Sequence, residues 1–514
     1  MNIKDQISKI KNLFFPALFL VFIIGLLIRI WNLGSNPAGF FADEASIGYN
    51  AYSVLKSGKD EWGYRFPLLF KAFGQYKDPV LIYTAIPFIK IFGLSEFSIR
   101  ITSVFYGMLA ILAIFLLTKE LFDSKVGLFS ALFLAISPWH VHFSRIGFEL
   151  ISSTFWLPFS LFLFLKSLKK FETYYPVFAV SALITFFTYY PIKIIWPILL
   201  ILTFFVCFKT TKKWLTKKQF WIINLIIVFV FVFLMIPYFK DGLFLSRWKE
   251  VKNDSLKYED LVKGYVNHFS WNFLFKTGDI DFSGQFITRH SVRGIGELYI
   301  FQLPLIIFAL IHLMMKKRKE ALFLIVFLLL YPLGTVFTDI KPQATRSIIG
   351  VIPFQILSGY GLVKIISLFK RRITKIFLVL IFSVILGMSL NKYLNLFYEY
   401  PIYSSDYWGW QYGPGEIISY FKFFSKDYDE LYMTGSFNAP EIFLKFYDPE
   451  GKCKNCFIGG VDRYDQSKKQ LFAFTSEEME DIDWDFKIKK IIYYPNRDKA
   501  FSIIEPISNS TLQR

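Results

Sequence analysis

Residues able to do chemistry are few in this chain and fall in short polar segments. Asp43 and Glu44 open a helix in NPAGFFADEASIGYNAYSVLKSG, whose apolar face is Ile47, Ala51, Val54 and Leu55. Carboxylates at a helix start cap its amides and complement its dipole. They can also take a proton from an attacking hydroxyl or share a divalent cation. Five basic residues, Lys77, Arg145, Lys193, Arg289 and Arg346, stand in separate polar segments. Cations suit phosphate oxygens, and an arginine can grip two at once; each alone equally suits a side chain snorkelling its charge to water. Arg346 stands near Lys341 in DIKPQATRS. His290 follows Arg289 in SGQFITRHSVRGIG, a glycine-bounded stretch able to order over a ligand. His140 and His142 in PWHVH are too few for a metal site and read as interfacial packing beside Trp139. Cys453 and Cys456 in GKCKNC read as a short disulfide closing a turn, since structural zinc takes four ligands.

The elements that must position these residues are membrane spans. Mean hydropathy is +0.42, and the apolar residues come in blocks long enough to cross a bilayer, about 20 residues each. The net charge of +18 does not point to nucleic acid, because the lysines cluster between apolar blocks, as orientation signals do. Spans are expected at 13–32, 97–118, 126–142, 150–166, 174–190, 191–208, 219–238, 297–315, 320–337, 345–368 and 374–391, about eleven helices. With Lys4, Lys9 and Lys11 inside, the clusters Lys119/Lys125, Lys166–Lys170, Lys209–Lys218, Lys316–Lys319 and Lys370–Lys375 all fall on the cytoplasmic side.

One apolar segment, 79–92, runs only 14 residues and suits an interfacial helix better than a span. If it crossed, every later basic cluster would change sides. The reading is therefore a membrane domain, 1–391, with outer loops 33–96 and 239–296. A small extracytoplasmic α/β domain, 392–514, follows, with helical patterns at Pro414–Phe424 and Ala439–Tyr447 and strand patterns at Glu430–Thr434 and Lys487–Tyr494. Its Trp408, Trp410 and Tyr412 suit sugar stacking or anchoring at the membrane interface.

In order along the chain, Asp43-Glu44, Tyr76-Lys77-Asp78-Pro79 with Tyr83, Phe92-Gly93-Leu94-Ser95-Glu96-Phe97-Ser98-Ile99-Arg100, Ser137-Pro138-Trp139 and Phe143-Ser144-Arg145 resemble a known pattern. It is that of the lipid-linked-sugar glycosyltransferases that include protein O-mannosyltransferases and the aminoarabinose transferases of lipid A. The likeness covers roughly residues 13–370. It implies an α-helical polytopic fold of the GT-C type, in which a plasma-membrane enzyme moves a sugar from a polyprenyl-phosphate donor to an extracytoplasmic hydroxyl. By resemblance Asp43 is the base and Glu44 a supporting carboxylate. Lys77, Arg145, Lys193, Arg289 and Arg346 are then donor-phosphate ligands. Glu149 is the nearest acidic residue to the second aspartate of the aminoarabinose enzymes and, with His290, marks an acceptor site. Two departures stand out: Asp78 interrupts the Lys-Pro pairing of the family, and no insertion is long enough for a β-trefoil. No metal site is expected, although Asp43 and Glu44 leave a divalent cation open.

Two other functions suit a polytopic chain. A lipid-linked-oligosaccharide flippase or other transporter would place polar groups at mid-membrane on broken helices and show paired repeats; here the spans are clean and unrepeated. A glycan polymerase or ligase also works from outer loops on lipid-linked substrates, but its loop would not begin with Asp-Glu after the first span.

Overall fold

The computed structural model describes residues 3–240, 253, 255–279, 289–316, 318–338, 342–407 and 409–507. Lys317, Lys341, Trp408 and parts of the second outer loop lie outside the described residues. The chain opens with α1 (Ile3–Ile30) and α2 (Ala42–Ser57), then a hairpin of β1 (Phe70–Ala72) and β2 (Gln75–Lys77). There follow α3 (Pro79–Phe92), α4 (Glu96–Leu121), α5 (Ser124–Ile136), α6 (Pro138–Phe143), α7 (Leu150–Ser167) and α8 (Phe171–Phe186). Next come α9 (Ile192–Val206), α10 (Phe208–Thr211), α11 (Lys218–Lys240) and α12 (Tyr258–Asn267). The last helices of the bundle are α13 (Gln302–Met315), α14 (Lys319–Leu330), α15 (Val351–Leu368) and α16 (Arg372–Ser404).

A helix stands at each expected span. Five helical segments are long and apolar enough to cross a membrane: Glu96–Leu121, Leu150–Ser167, Lys218–Ile236, Ile348–Leu368 and Arg372–Ser404. Shorter apolar helices, among them α1, α5, α9 and α13, pack around them. Span 126–142 is divided, because Pro138 restarts the chain as α6 after the Ser137 cap, which accepts from His140 N–H.

The charged links sort to two ends of this bundle. Glu120 at the end of α4 pairs with Lys166 (3.1 Å) and Lys169 from the link after α7. Lys217 before α11 pairs with Glu172 at the start of α8. Cys207, Leu121 and Lys319 line one small cavity, which brings the link before α14 to the same end. The opposite end carries the first outer loop. There Asp78, at the start of α3, pairs with Lys193 at the start of α9, while Glu96, four residues past the end of α3, accepts from Tyr447 of the C-terminal domain at 2.6 Å. Both ends of α3 therefore lie at one end of the bundle, and the helix runs along that end instead of traversing it.

The C-terminal domain holds α17 (Pro414–Phe424), α18 (Glu441–Tyr447) and strands β3 (Glu430–Met433), β4 (Cys456–Ile458), β5 (Gln470–Thr475), β6 (Phe486–Tyr493) and β7 (Lys499–Pro506). They form one sheet in the order β4-β3-β5-β7-β6, parallel at β4/β3/β5 and antiparallel at β5/β7/β6. Cys453 and Cys456 are disulfide-bonded at the entry to β4. The domain begins later than residue 392, because α16 continues to Ser404 and buries Tyr393, Phe397 and Tyr400 at helical spacing. It docks through α18: Phe446 lies over Gly48 of α2, where a Cβ would meet its ring at 2.6 Å, and packs on Phe40 at 4.7 Å between centroids.

Candidate active site

The start of α2 is held by Glu44, and this fixes where Asp43 points. The Glu44 carboxylate is fully buried and accepts from Phe41 N–H (3.3 Å), Gly147 N–H (2.7 Å) and the Arg100 guanidinium (3.3 Å). Gly147 is required there, since a Cβ would stand 2.4 Å from Ile99 and 3.3 Å from Glu44 itself. Arg100 also donates to the carbonyls of Leu33, Pro37 and Gly39, so one cation folds the whole entry to α2 around itself. Glu44 is thus a helix cap and a buried ion-pair partner, not a residue facing substrate. Asp43, one position earlier, turns the other way into a cavity of about 270 Å³. The two carboxylates diverge and do not form the cation pair that the sequence left open.

Lys77 meets Asp43 at 2.5 Å, with its side chain 7% exposed against 42% for Asp43. The hairpin places it: Phe70, buried against Tyr83, pairs in register with Lys77, and the turn at Phe73 (φ +52°) and Gly74 (φ +78°) has the left-handed pair of a tight two-residue loop. The Phe73 ring flanks the Lys77 ammonium at 5.5 Å.

Four further expected residues, Glu149, Arg289, His290 and Arg346, line the same cavity, as do Phe41 and Tyr189. Arg289 lies 3.9 Å over the Phe41 ring and donates to Gly409 O at 2.8 Å. Burial pushes its guanidinium down from its ordinary value, and the negative charge of Asp43 acts in the opposite direction. His290 Nδ1 is 2.9 Å from Asp279, whose carboxylate also accepts from Ala344 N–H at 2.7 Å. Arg346 donates to Thr338 Oγ1. Asp279 escaped sequence reasoning because nothing in its neighbourhood marks it; the contact that gives it a role spans 65 residues.

Two expected phosphate ligands are placed elsewhere. Arg145 is buried and donates to the carbonyls of Ile28, Arg29, Trp31 and Asn36, stapling the end of α1. Its charge is spent on carbonyls that the chain reversal after α1 leaves without helical partners. Lys193 pairs with Asp78 at 2.7 Å, so the aspartate that interrupts the Lys-Pro pattern is the partner of a lysine 115 positions away, and neither lines the cavity. The histidines of PWHVH are buried, not interfacial. His140 contacts Arg29 (2.8 Å) and Thr154 (3.1 Å), and His142 Nε2 meets the Arg289 carbonyl (2.6 Å), which helps fix the cavity wall. Trp410 is buried in the seam below the C-terminal domain and donates to Tyr400 Oη. Among the described residues no group of three or more His, Cys, Asp or Glu could hold a metal ion.

Residues 77–236 match the sequence model of the family described as dolichyl-phosphate-mannose-protein mannosyltransferase. No curated protein matches the sequence. Solved structures share its fold. The oligosaccharyltransferase of Archaeoglobus fulgidus, tethered with an acceptor peptide containing the NVT sequon, superposes with a TM-score of 0.54 at 12% identity, over 96% of this chain and 74% of that one. The AglB oligosaccharyltransferase of the same organism, in complex with an inhibitory peptide and a dolichol-phosphate, gives 0.52 at 14% identity, over 88% and 65%. ArnT from Cupriavidus metallidurans bound to undecaprenyl phosphate gives 0.53 at 12% identity, over 98% and 99%. The fold is that of the GT-C glycosyltransferases, and the chain resembles the O-mannosyltransferase and ArnT group.

Proposed function

We propose that this protein transfers a sugar from a polyprenyl-phosphate donor to a hydroxyl of an extracytoplasmic acceptor, with Asp43 as the base. The observation that carries the reading is the convergence of Asp43, Lys77, Arg289 and Arg346 on one cavity, from four distant segments. In the reaction the acceptor oxygen bonds to the anomeric carbon and its proton passes to the Asp43 carboxylate. The bond from that carbon to the phosphate oxygen breaks, and the electron pair leaves with the polyprenyl phosphate. The phosphate goes from one negative charge to two, so it needs cations and no acid. Lys77, Arg289 and Arg346 supply them.

The Lys77–Asp43 pair gives this reaction an order. A carboxylate gripped by an ammonium at 2.5 Å is a poor proton acceptor. The donor phosphate competes for the same ammonium, and when it draws Lys77 away Asp43 becomes competent. Donor binding therefore precedes activation of the acceptor. An apolar groove of about 360 Å³ between α8, α9 and α11, lined by Phe178, Leu200 and Phe231, suits the donor's lipid chain. Above it, Leu69 of the first loop packs with Phe187 and Met235. The distribution of basic links supports a cytoplasmic N-terminus, with the cavity and C-terminal domain on the outer face of the plasma membrane.

Transport is disfavoured, because Asp43, Lys77, Arg289 and Arg346 line one cavity at the end of the bundle that carries the first loop. The test is reconstitution: purified protein in vesicles with undecaprenyl-phosphate or dolichyl-phosphate carrying a labelled sugar, supplied with envelope proteins, lipids or glycans of the host cell. Label should move to one of the three fractions while free polyprenyl phosphate accumulates. Translocation of intact donor without loss of its sugar would contradict the reading.

A further inference from the structure

A second cavity, of about 670 Å³, lies at the seam between the C-terminal domain and the bundle. Its floor is Gly39, Phe40 and Glu96, its roof comes from residues 411–419 with Tyr447, and Tyr398 and Ile402 of α16 border it. One stretch of backbone divides it from the candidate active site: Phe40 lines the seam cavity and Phe41 the other.

The seam is built, not an open slit. Gln411 holds a left-handed backbone (φ +52°), rare for a residue with a Cβ. From there its Oε1 accepts from Ala42 N–H at the first residue of α2 (2.8 Å), and its Nε2 donates to Asn438 O (3.1 Å). Gln411 thus fastens the roof to the entry of α2. Gly39 lets the floor approach closely, since a Cβ there would stand 2.6 Å from the Trp410 carbonyl oxygen.

The lining has a definite chemistry. Glu96 accepts from the Tyr447 hydroxyl (2.6 Å), and Glu416 accepts from the Tyr412 hydroxyl (3.2 Å). Burial and the Glu416 charge raise the Tyr412 phenol to about 12, which keeps it a donor at neutral pH. No Lys or Arg lies among the described lining residues, and Lys490 reaches Glu416 from outside at 3.4 Å. A phosphate or other anion would meet two carboxylates, which is repulsive, while Lys490 and Arg100 lie outside the lining and are engaged by Glu416 and Glu44. A hydrocarbon chain would strand those carboxylates dry, at several kcal/mol. A polyhydroxylated ring fits: carboxylate and phenol oxygens accept from its hydroxyls, and aromatic faces cover its C–H face.

We propose that the seam cavity is a binding site for an uncharged glycan, held beside the active site by Tyr398, Tyr412, Glu96 and Glu416. Glu96 faces Arg100, and Arg100 holds Glu44 next to Asp43. A glycan touching Glu96 is therefore linked, through the charge of Arg100 and the Arg100–Glu44 ion pair, to the start of α2 beside Asp43. That the held glycan belongs to a transfer substrate rests on the proposed function; that the cavity binds a glycan does not.

The test uses the full chain in lipid nanodiscs and saturation-transfer NMR with maltotriose, cellotriose and mannotriose as probes, and sialyllactose as the anionic control. A second arm presents the same trisaccharides on a lipid anchor in vesicles, which separates a free glycan from a glycolipid headgroup. At least one neutral trisaccharide should bind in one of the two arms, and sialyllactose should not. Ser419→Trp, which fills the cavity, and Glu416→Gln should each weaken binding at least tenfold with an unchanged melting temperature, whereas Lys77→Ala should leave it intact. Failure of all three trisaccharides in both arms would overturn the proposal. So would binding that survives Ser419→Trp and Glu416→Gln. Loss in Lys77→Ala alone would move the glycan to the catalytic cavity and equally overturn it, while leaving the transferase reading untouched.

Discussion

Neighbouring residues of one helical turn do opposite jobs here. Asp43 faces a cavity and pairs with Lys77, whereas Glu44 is buried against Arg100 and two backbone amides. Breaking a buried pair by neutralising one partner leaves the other charge uncompensated, a cost of about 3–5 kcal/mol. Glu44→Gln should therefore lower the melting temperature and the yield of folded protein, and any loss of activity should follow the loss of fold. Lys77→Ala belongs to the other class. Removing a charge-assisted bond to phosphate costs about 1.5–3 kcal/mol, so donor KM should rise roughly 10- to 150-fold with stability nearly unchanged. Lys77→Arg should restore much of the affinity. Asp43, Lys77 and Arg346, which line one cavity, could be singled out from residue type and order, whereas Glu44, expected as a supporting carboxylate, is a buried cap. The structural duty of Arg145 was not legible, because its four acceptors are backbone carbonyls of residues 109 to 117 positions away, and sequence carries no mark for a carbonyl that lacks a helical partner.

At the scale of elements, a buried imidazole ties the second outer loop to the bundle. His268, at the end of α12, bonds the Gly264 carbonyl through Nδ1 (2.8 Å), while its own carbonyl accepts from Tyr331 Oη. Burial depresses it to about 4 from its ordinary 6.5. The unfolded chain takes up the proton first as pH falls, so this contribution to stability is complete above pH 6.5 and is lost progressively down to about pH 4. The loss amounts to roughly 3 kcal/mol. Thermal melts of the wild type at pH 7 and pH 5 should differ more than those of His268→Gln, and equal differences would contradict the assignment. Helices were legible where apolar runs were long. The start of the C-terminal domain was misplaced because α16 turns polar after residue 391 yet keeps an apolar stripe at Tyr393, Phe397 and Tyr400. Strand β5 escaped notice since every residue of it is buried, which removes the alternation that betrays a half-exposed strand. Strands β4 and β7 escaped for a different reason: β4 has three residues, too few for a pattern, and β7 shows buried neighbours without regular alternation.

Across the whole molecule, the account depends on one choice, that α3 does not cross the membrane. The pairs Asp78–Lys193 and Glu96–Tyr447 keep both ends of α3 at the cavity end, in keeping with the charge asymmetry of the links. It follows that a membrane-impermeant maleimide should label Arg497→Cys in intact cells, in a background lacking the native cysteines, while Lys213→Cys reacts only after the membrane is opened. The reverse pattern would invert the topology and place the cavity in the cytoplasm. The expected orientation rests on basic residues accumulating on one face, a rule that acts over the whole chain. The meeting of Asp43 with Lys77, Arg289 and Arg346 was legible only as a shared side of the membrane, since distances between loops are set by packing.

The central claim is that Asp43 takes the acceptor proton once the donor phosphate has drawn Lys77 away. It is tested most directly by single-turnover transfer in reconstituted Asp43→Asn, with donor binding and melting temperature measured on the same preparation. The account predicts transfer reduced at least 10²-fold, the lower bound for loss of a general base, with the fold intact and donor still bound. Transfer at the wild-type rate in a folded, donor-bound Asp43→Asn protein would contradict it.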